Sequence, residues 1–253
     1  MHGISILFRM NSYLTLGIAI TAFGIILVLI FNLKAVRLFI IQLFHGRYSY
    51  RYVSTFKKFH IMDNPFPICI DDDIVSHFSN FADIDPKNTL YTKSTITFTT
   101  IPFSAKFSTL NKKGKPERFN IYQFSKEYTV KIMGYANVIL GNPIRELYFL
   151  ANNFFVMGEY VFTDVSKANN KKLIEMLVAK YNITNPIKDE LFFIRDDKDS
   201  VICFTNSGFS ISIQYINLNH PFVDEIVKSH FQRGMINGPE TTAEADKADL
   251  SKL

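Results

Sequence analysis

Between Leu14 and Leu33 the chain reads LTLGIAITAFGIILVLIFNL, a run without a charge whose polar side chains are Thr15, Thr21 and Asn32. At 1.5 Å per residue a helix of this run is about 30 Å long, the thickness of a bilayer's hydrocarbon core. A helix satisfies its own backbone hydrogen bonds, so lipid is a natural solvent for such a segment. The sequence therefore predicts one transmembrane helix in an N-terminal anchor, residues 1–33. A cleaved signal peptide has a shorter apolar core and a small-residue cleavage site. Here Lys34, Ala35, Val36 and Arg37 follow the run instead. A buried core helix would carry a polar stripe, which this run lacks.

Basic residues give the orientation. Arg9 precedes the run, whereas Lys34, Arg37, Arg47, Arg51, Lys57 and Lys58 follow it. The expectation is a single-pass membrane protein with its C-terminal part in the cytoplasm. The reverse arrangement, with that part periplasmic or extracellular, is the alternative. Residues 34–63 form a juxtamembrane segment. Val36, Leu38, Phe39, Ile40, Ile41, Leu43 and Phe44 are interrupted by Lys34, Arg37 and His45, and Tyr48, Tyr50 and Tyr52 alternate with Arg47 and Arg51. Tyrosines and long cationic stems suit the headgroup layer. The segment reads either as a basic collar attracted to anionic lipid or as a continuation of the spanning helix. Membrane lipid is thus an expected partner, through the N-terminal helix and the collar.

Composition narrows the remainder. The net charge of +5 is slight and partly juxtamembrane, so no clustered nucleic-acid footprint is expected. With 25 Phe and no Trp, the core must be built around phenylalanine. Cys69 and Cys203 are too few for a disulfide framework, and Cys203, in the apolar run VICF, reads as a buried thiol.

Pro65 and Pro67 break the chain ahead of a globular domain over 64–234. Asp71–Asp73 followed by Ile74, Val75 and Phe78 resembles a helix start. Thr95–Thr99 alternates as a half-buried strand does. Phe119–Phe124 and Tyr128–Met133 read as strands. From residue 144 the pattern gives strand, strand, helix, strand, strand, strand, helix. Asn152-Asn153 supplies a hairpin turn, and a helix over Lys167–Tyr181 is capped by Asp164 or Ser166. Leu191–Ile194 and Val201–Phe204 are continuous apolar runs, as in strands covered on both faces. Ile211–Tyr215 alternates, and Asn219 could cap a helix over Pro221–Phe231. The fold class is α+β, a mainly antiparallel sheet with helices on one face. Residues 235–253 are polar and acidic, and are expected to form a disordered tail.

No catalytic, cofactor-binding or metal-binding residue set emerges. Asp73 and His77 have a ligating spacing, but a helix start explains the acids better. Asp196–Asp199 lacks the glycine and distal glutamate of a calcium loop and reads as a hairpin tip. His60, His220 and His230 have no partner pattern. Arg145, Glu146 and Glu159 lie in strand-like runs, with their charges expected in solvent. Asn182-Ile183-Thr184 and the terminal Ser251-Lys252-Leu253 are short motifs of the kind that arise by chance. The expected function is protein binding or assembly accessory work by a membrane-anchored domain, with an unidentified protein partner. The alternative is a membrane-tethered, hydrolase-like enzyme whose residues are scattered in sequence.

Overall fold

The computed structural model describes residues 15–28, 33–60, 66, 74–110, 113–163, 167–184 and 191–236. It divides into two compact units, Met1–Pro65 and Phe66–Leu253.

In the first unit, residues 15–28 form a helix, α1. Its apolar side chains stand exposed, Leu16, Ile18, Ile20, Phe23, Ile25 and Val28 among them. The Thr21 hydroxyl donates to the Gly17 carbonyl at 2.8 Å, so this polar group is satisfied within the helix. The expected full-length transmembrane helix is not found among the described residues. Among the described residues no helix is long and apolar enough to cross a membrane. The fourteen residues of α1 span about 21 Å, and positions 14 and 29–32 of the apolar run lie outside the described residues. Leu33 is extended, with φ −77° and ψ 110°, so α2 (Lys34–His45) starts afresh and does not continue α1. Gly46, at φ 77°, ends α2, and the Ser49 hydroxyl caps α3 (Tyr50–His60) by accepting from the Tyr52 amide at 3.2 Å. The two helices pair as a hairpin. Lys34 and Arg37 reach over the Phe59 ring, at 5.9 and 5.8 Å from its centroid.

The second unit is α+β. Its strands are β1 (Thr89–Tyr91), β2 (Arg118–Gln123), β3 (Thr129–Ile139), β4 (Asn142–Ala151), β5 (Phe154–Phe162), β6 (Leu191–Arg195), β7 (Ser200–Asn206) and β8 (Ile211–Asn217). They form one sheet of order β1-β6-β7-β8-β5-β4-β3-β2. Only β1 runs parallel to its neighbour. The helices are α4 (Ile74–Phe78), the short α5 (Phe107–Leu110), α6 (Lys167–Tyr181) and α7 (Pro221–Ile236). A three-strand meander followed by a helix occurs twice, β3–β5 with α6 and β6–β8 with α7, and β5 joins β8 at the centre. The alternation seen from residue 144 onward is the order found. Asn152 and Asn153 do turn the β4–β5 hairpin, at φ 48° and 71°.

Cross-strand register separates two faces. Leu147, Glu159, Gln214, Cys203 and Phe193 form one row. On this face α4 and α7 lay Ile74, Val75, Phe78, Phe222, Val223 and Ile226 over Val130, Phe149 and Ile216. The opposite row is Tyr148, Gly158, Tyr215, Ile202 and Ile194. There Phe98 packs against Tyr148, Phe155, Tyr160 and Tyr215 at centroid distances of 4.6 to 6.0 Å. The end of α6 covers the same face, where the Thr92 hydroxyl donates to the Tyr181 carbonyl at 2.6 Å.

Five expectations are corrected here. Helices lie on both faces of the sheet, because both faces are apolar and each needs cover. Thr95–Thr99 is no strand, its backbone pairing being one isolated bridge from Phe98 to Ile101; burial of Phe98 sets its path. His220, not Asn219, caps α7, since its Nδ1 accepts from the Phe222 amide at 3.2 Å. Glu146 and Glu159 are 2% and 3% exposed. They are turned inward because each has donors to meet it there. Of the tail expected over 235–253, Met235 and Ile236 belong instead to α7; Asp71–Asp73, Cys69, Asp164, Ser166 and the tail from 237 lie outside the described residues.

Candidate functional site

Two hairpin tips stand at one end of the sheet. Ile139 pairs with Asn142 at the β3–β4 tip. Ile144, Phe162, Ile211 and Asn206 share one row, which brings the β7–β8 tip to the same end. With β5 between the hairpins, the tips are about 14 Å apart at ordinary strand spacing. Each tip carries apolar side chains into solvent. Phe209 is 90% exposed, Val138 64% and Leu140 44%. Gly208, at φ 84°, makes the turn that presents Phe209.

Back from the tips, on the face of α4 and α7, lies a groove of about 390 Å³ lined by Arg118, Pro143, Arg145, Leu147 and Thr163. Arg118 aligns with Gly134 on β3, and Gly134 with Leu147 on β4; Arg145 aligns with Ala136. Small residues between the arginines leave the floor open. Neither guanidinium has an ion-pair partner among the described residues. Glu117 also lines the groove, leaving it one net positive charge.

Glu159, beneath the helices, accepts from Ser212 Oγ at 2.6 Å and lies 3.1 Å from His77 Nδ1. Gln214 Nε2 donates to the His77 carbonyl at 2.9 Å, and Asn80 Nδ2 to Gln214 Oε1 at 3.2 Å. Ser212 thus bonds the carboxylate and not the imidazole, so the group does not form a serine–histidine relay. It ties α4 to β5 and β8. On the other face Glu146 accepts from Tyr148 at 2.6 Å and from Lys113 at 2.9 Å, and Lys113 also contacts the Tyr148 hydroxyl. Burial, then the bond and charge of Glu146, push the Tyr148 phenol far up. Burial pushes the Cys203 thiol up to about 12, which makes it a poor nucleophile.

The residues weighed from sequence are dispersed. His77 pairs with Glu159, 82 positions away. Asp196 closes its hairpin by accepting from the Lys198 and Ser200 amides at 2.9 Å, and ties down the Ile96 amide at 2.9 Å. Among the described residues no three His, Cys, Asp or Glu side chains gather as metal ligands. His60 and His230 side chains lie outside the described residues. The exposed tips were missed because Val138, Leu140 and Phe209 look, in sequence, like any other core residue of a Phe-rich chain; Phe209 beside Gly208 in a turn was the available signal.

Comparison of the chain with protein-family models, with curated proteins and with solved structures finds no match.

Proposed function

We propose that this chain is a membrane-anchored interaction domain that docks a partner protein through the two hairpin tips. The observation that carries the reading is Phe209, 90% exposed at the β7–β8 tip and accompanied at the same end by Val138 and Leu140. Large apolar side chains exposed together lose favourable free energy to water and regain it on docking. Aromatic anchors of this kind dominate protein–protein interfaces. Attachment to the membrane, with the domain on its cytoplasmic side, is part of the same proposal. It is supported by the uncharged run Leu14–Leu33, by the exposed apolar surface of α1 and by the basic residues that follow.

The experiment compares the full chain with a Val138→Ser, Leu140→Ser, Phe209→Ser variant, both recovered from carbonate-washed membranes and purified in detergent. Both should stay in the washed pellet, because apolar burial does not depend on ionic contacts. One partner should co-purify at fixed stoichiometry with the natural chain and be lost with the variant. Release of both proteins by carbonate would contradict the anchor. Equal recovery of every accompanying protein would contradict the docking surface.

A further inference from the structure

The hairpin α2–α3 concentrates positive charge. From Lys34 to His60 the chain contains Lys34, Arg37, Arg47, Arg51, Lys57 and Lys58, and no Asp or Glu. Helical spacing then sorts these residues. Arg37, Ile40, Ile41 and His45 fall on one face of α2. Arg51, Ser54 and Thr55, spaced by three and four, fall on one face of α3. The two faces meet across a groove of about 580 Å³ lined by these same residues. Ile40, Ile41, Ser54 and Thr55 are half-buried in it, while Arg37, His45 and Arg51 stand exposed at its rim. Arg51 Nη1 lies 3.1 Å from His45 Nε2, which holds the guanidinium at the rim, and among the described residues no carboxylate pairs with it.

We propose that this groove binds the phosphate of an anionic phospholipid headgroup, with Arg37 and Arg51 as its ligands. Guanidinium forks match phosphate oxygens two at a time, and a hydroxyl such as that of Thr55 completes such a site, whereas the Ser54 hydroxyl already donates to the Arg51 carbonyl at 3.3 Å. The isoleucines give the lipid's glycerol and upper acyl region an apolar wall. Phe39, Leu43 and Phe44 stand exposed elsewhere on α2, the pattern of a helix lying in a membrane interface. The chain also limits where the groove can be. Lys34 stands six positions beyond Val28, the last described residue of α1, a reach of about 20 Å at full extension. The inference rests on the membrane attachment proposed above and names the lipid that the attached hairpin meets.

The test uses the full chain in a nonionic detergent, titrated with dioctanoyl phosphatidylglycerol, dioctanoyl phosphatidylcholine or inorganic phosphate, and native mass spectrometry to count bound lipid. Phosphatidylglycerol should bind at least tenfold more tightly than phosphatidylcholine or inorganic phosphate. Arg37→Gln/Arg51→Gln should weaken it at least tenfold, whereas Lys57→Gln/Lys58→Gln, which removes equal charge outside the groove, should change it less than threefold. Arg37→Lys/Arg51→Lys preserves charge and guards against misfolding of the first variant; it should lose at least threefold through loss of the forks. Equal effects of the two glutamine pairs, or full affinity in the lysine variant, would overturn the site. Equal affinity for inorganic phosphate would replace the lipid by a free anion and overturn it also. Carbonate washing reads attachment independently, so a failed groove and a failed anchor give different results.

Discussion

Lys131 is a cation held in a setting that opposes its charge. It sits in β3 with its Nζ 2.6 Å from Asn153 Oδ1 and 4.3 Å from the centroid of the Phe107 ring. Burial lowers its pKa to about 8. In the unfolded chain the same amine holds its proton to about pH 10.4. Between these values the unfolded state binds more protons, so this residue's contribution to stability rises with pH. Below pH 8 the full penalty of burying the charge remains. Lys131→Met removes the group. Urea midpoints of the natural chain should therefore gain on those of the variant as pH rises from about 8 to 10.4, and parallel curves would contradict the assignment. Cys203 shows the reverse direction, its burial holding the thiol protonated to about 12. Both are consequences of desolvation, and neither pairs with a group that would turn it into a reactive centre.

At the scale of elements, what was legible in sequence was local. Period-two runs and tight turns marked the strands from residue 118 onward, because side-chain alternation and left-handed asparagines are written in adjacent positions. Long-range partners were not written there. Glu159 and Ser212 are 53 positions apart and His77 a further 82 away, so their inward-facing network has no sequence signature. Thr95–Thr99 deceived by its alternation: its conformation follows from one ring. Phe98 lies over Gly158, and a Cβ there would come within 2.2 Å of that ring. The ring is fully buried among aromatic neighbours and has nowhere to withdraw. Gly158→Ala should therefore cost about 1–3 kcal/mol, the usual penalty for overpacking a core. Thermal unfolding checks this. An unchanged melting temperature would mean that the 92–110 segment yields without loss, and that Phe98 does not fix its path.

At the scale of the whole molecule the two units expose different kinds of surface. One unit carries an exposed apolar helix and a basic helical hairpin. The other carries an eight-stranded sheet, covered on both faces, whose exposed apolar groups include Phe209, Val138 and Leu140 at one end. Tyr91, 71% exposed on the edge strand β1, is removed from that end, because it aligns with Arg195 and Val201 at the opposite limit of β6 and β7. It therefore serves as the internal control for the central claim, that the hairpin tips are where the partner sits. A photo-crosslinking phenylalanine derivative placed at position 209, and separately at 91, in the full chain in intact membranes gives the most direct measurement. A discrete protein adduct is expected from position 209 and none from position 91. Absence of an adduct at 209, or the same adduct from both positions, would contradict it.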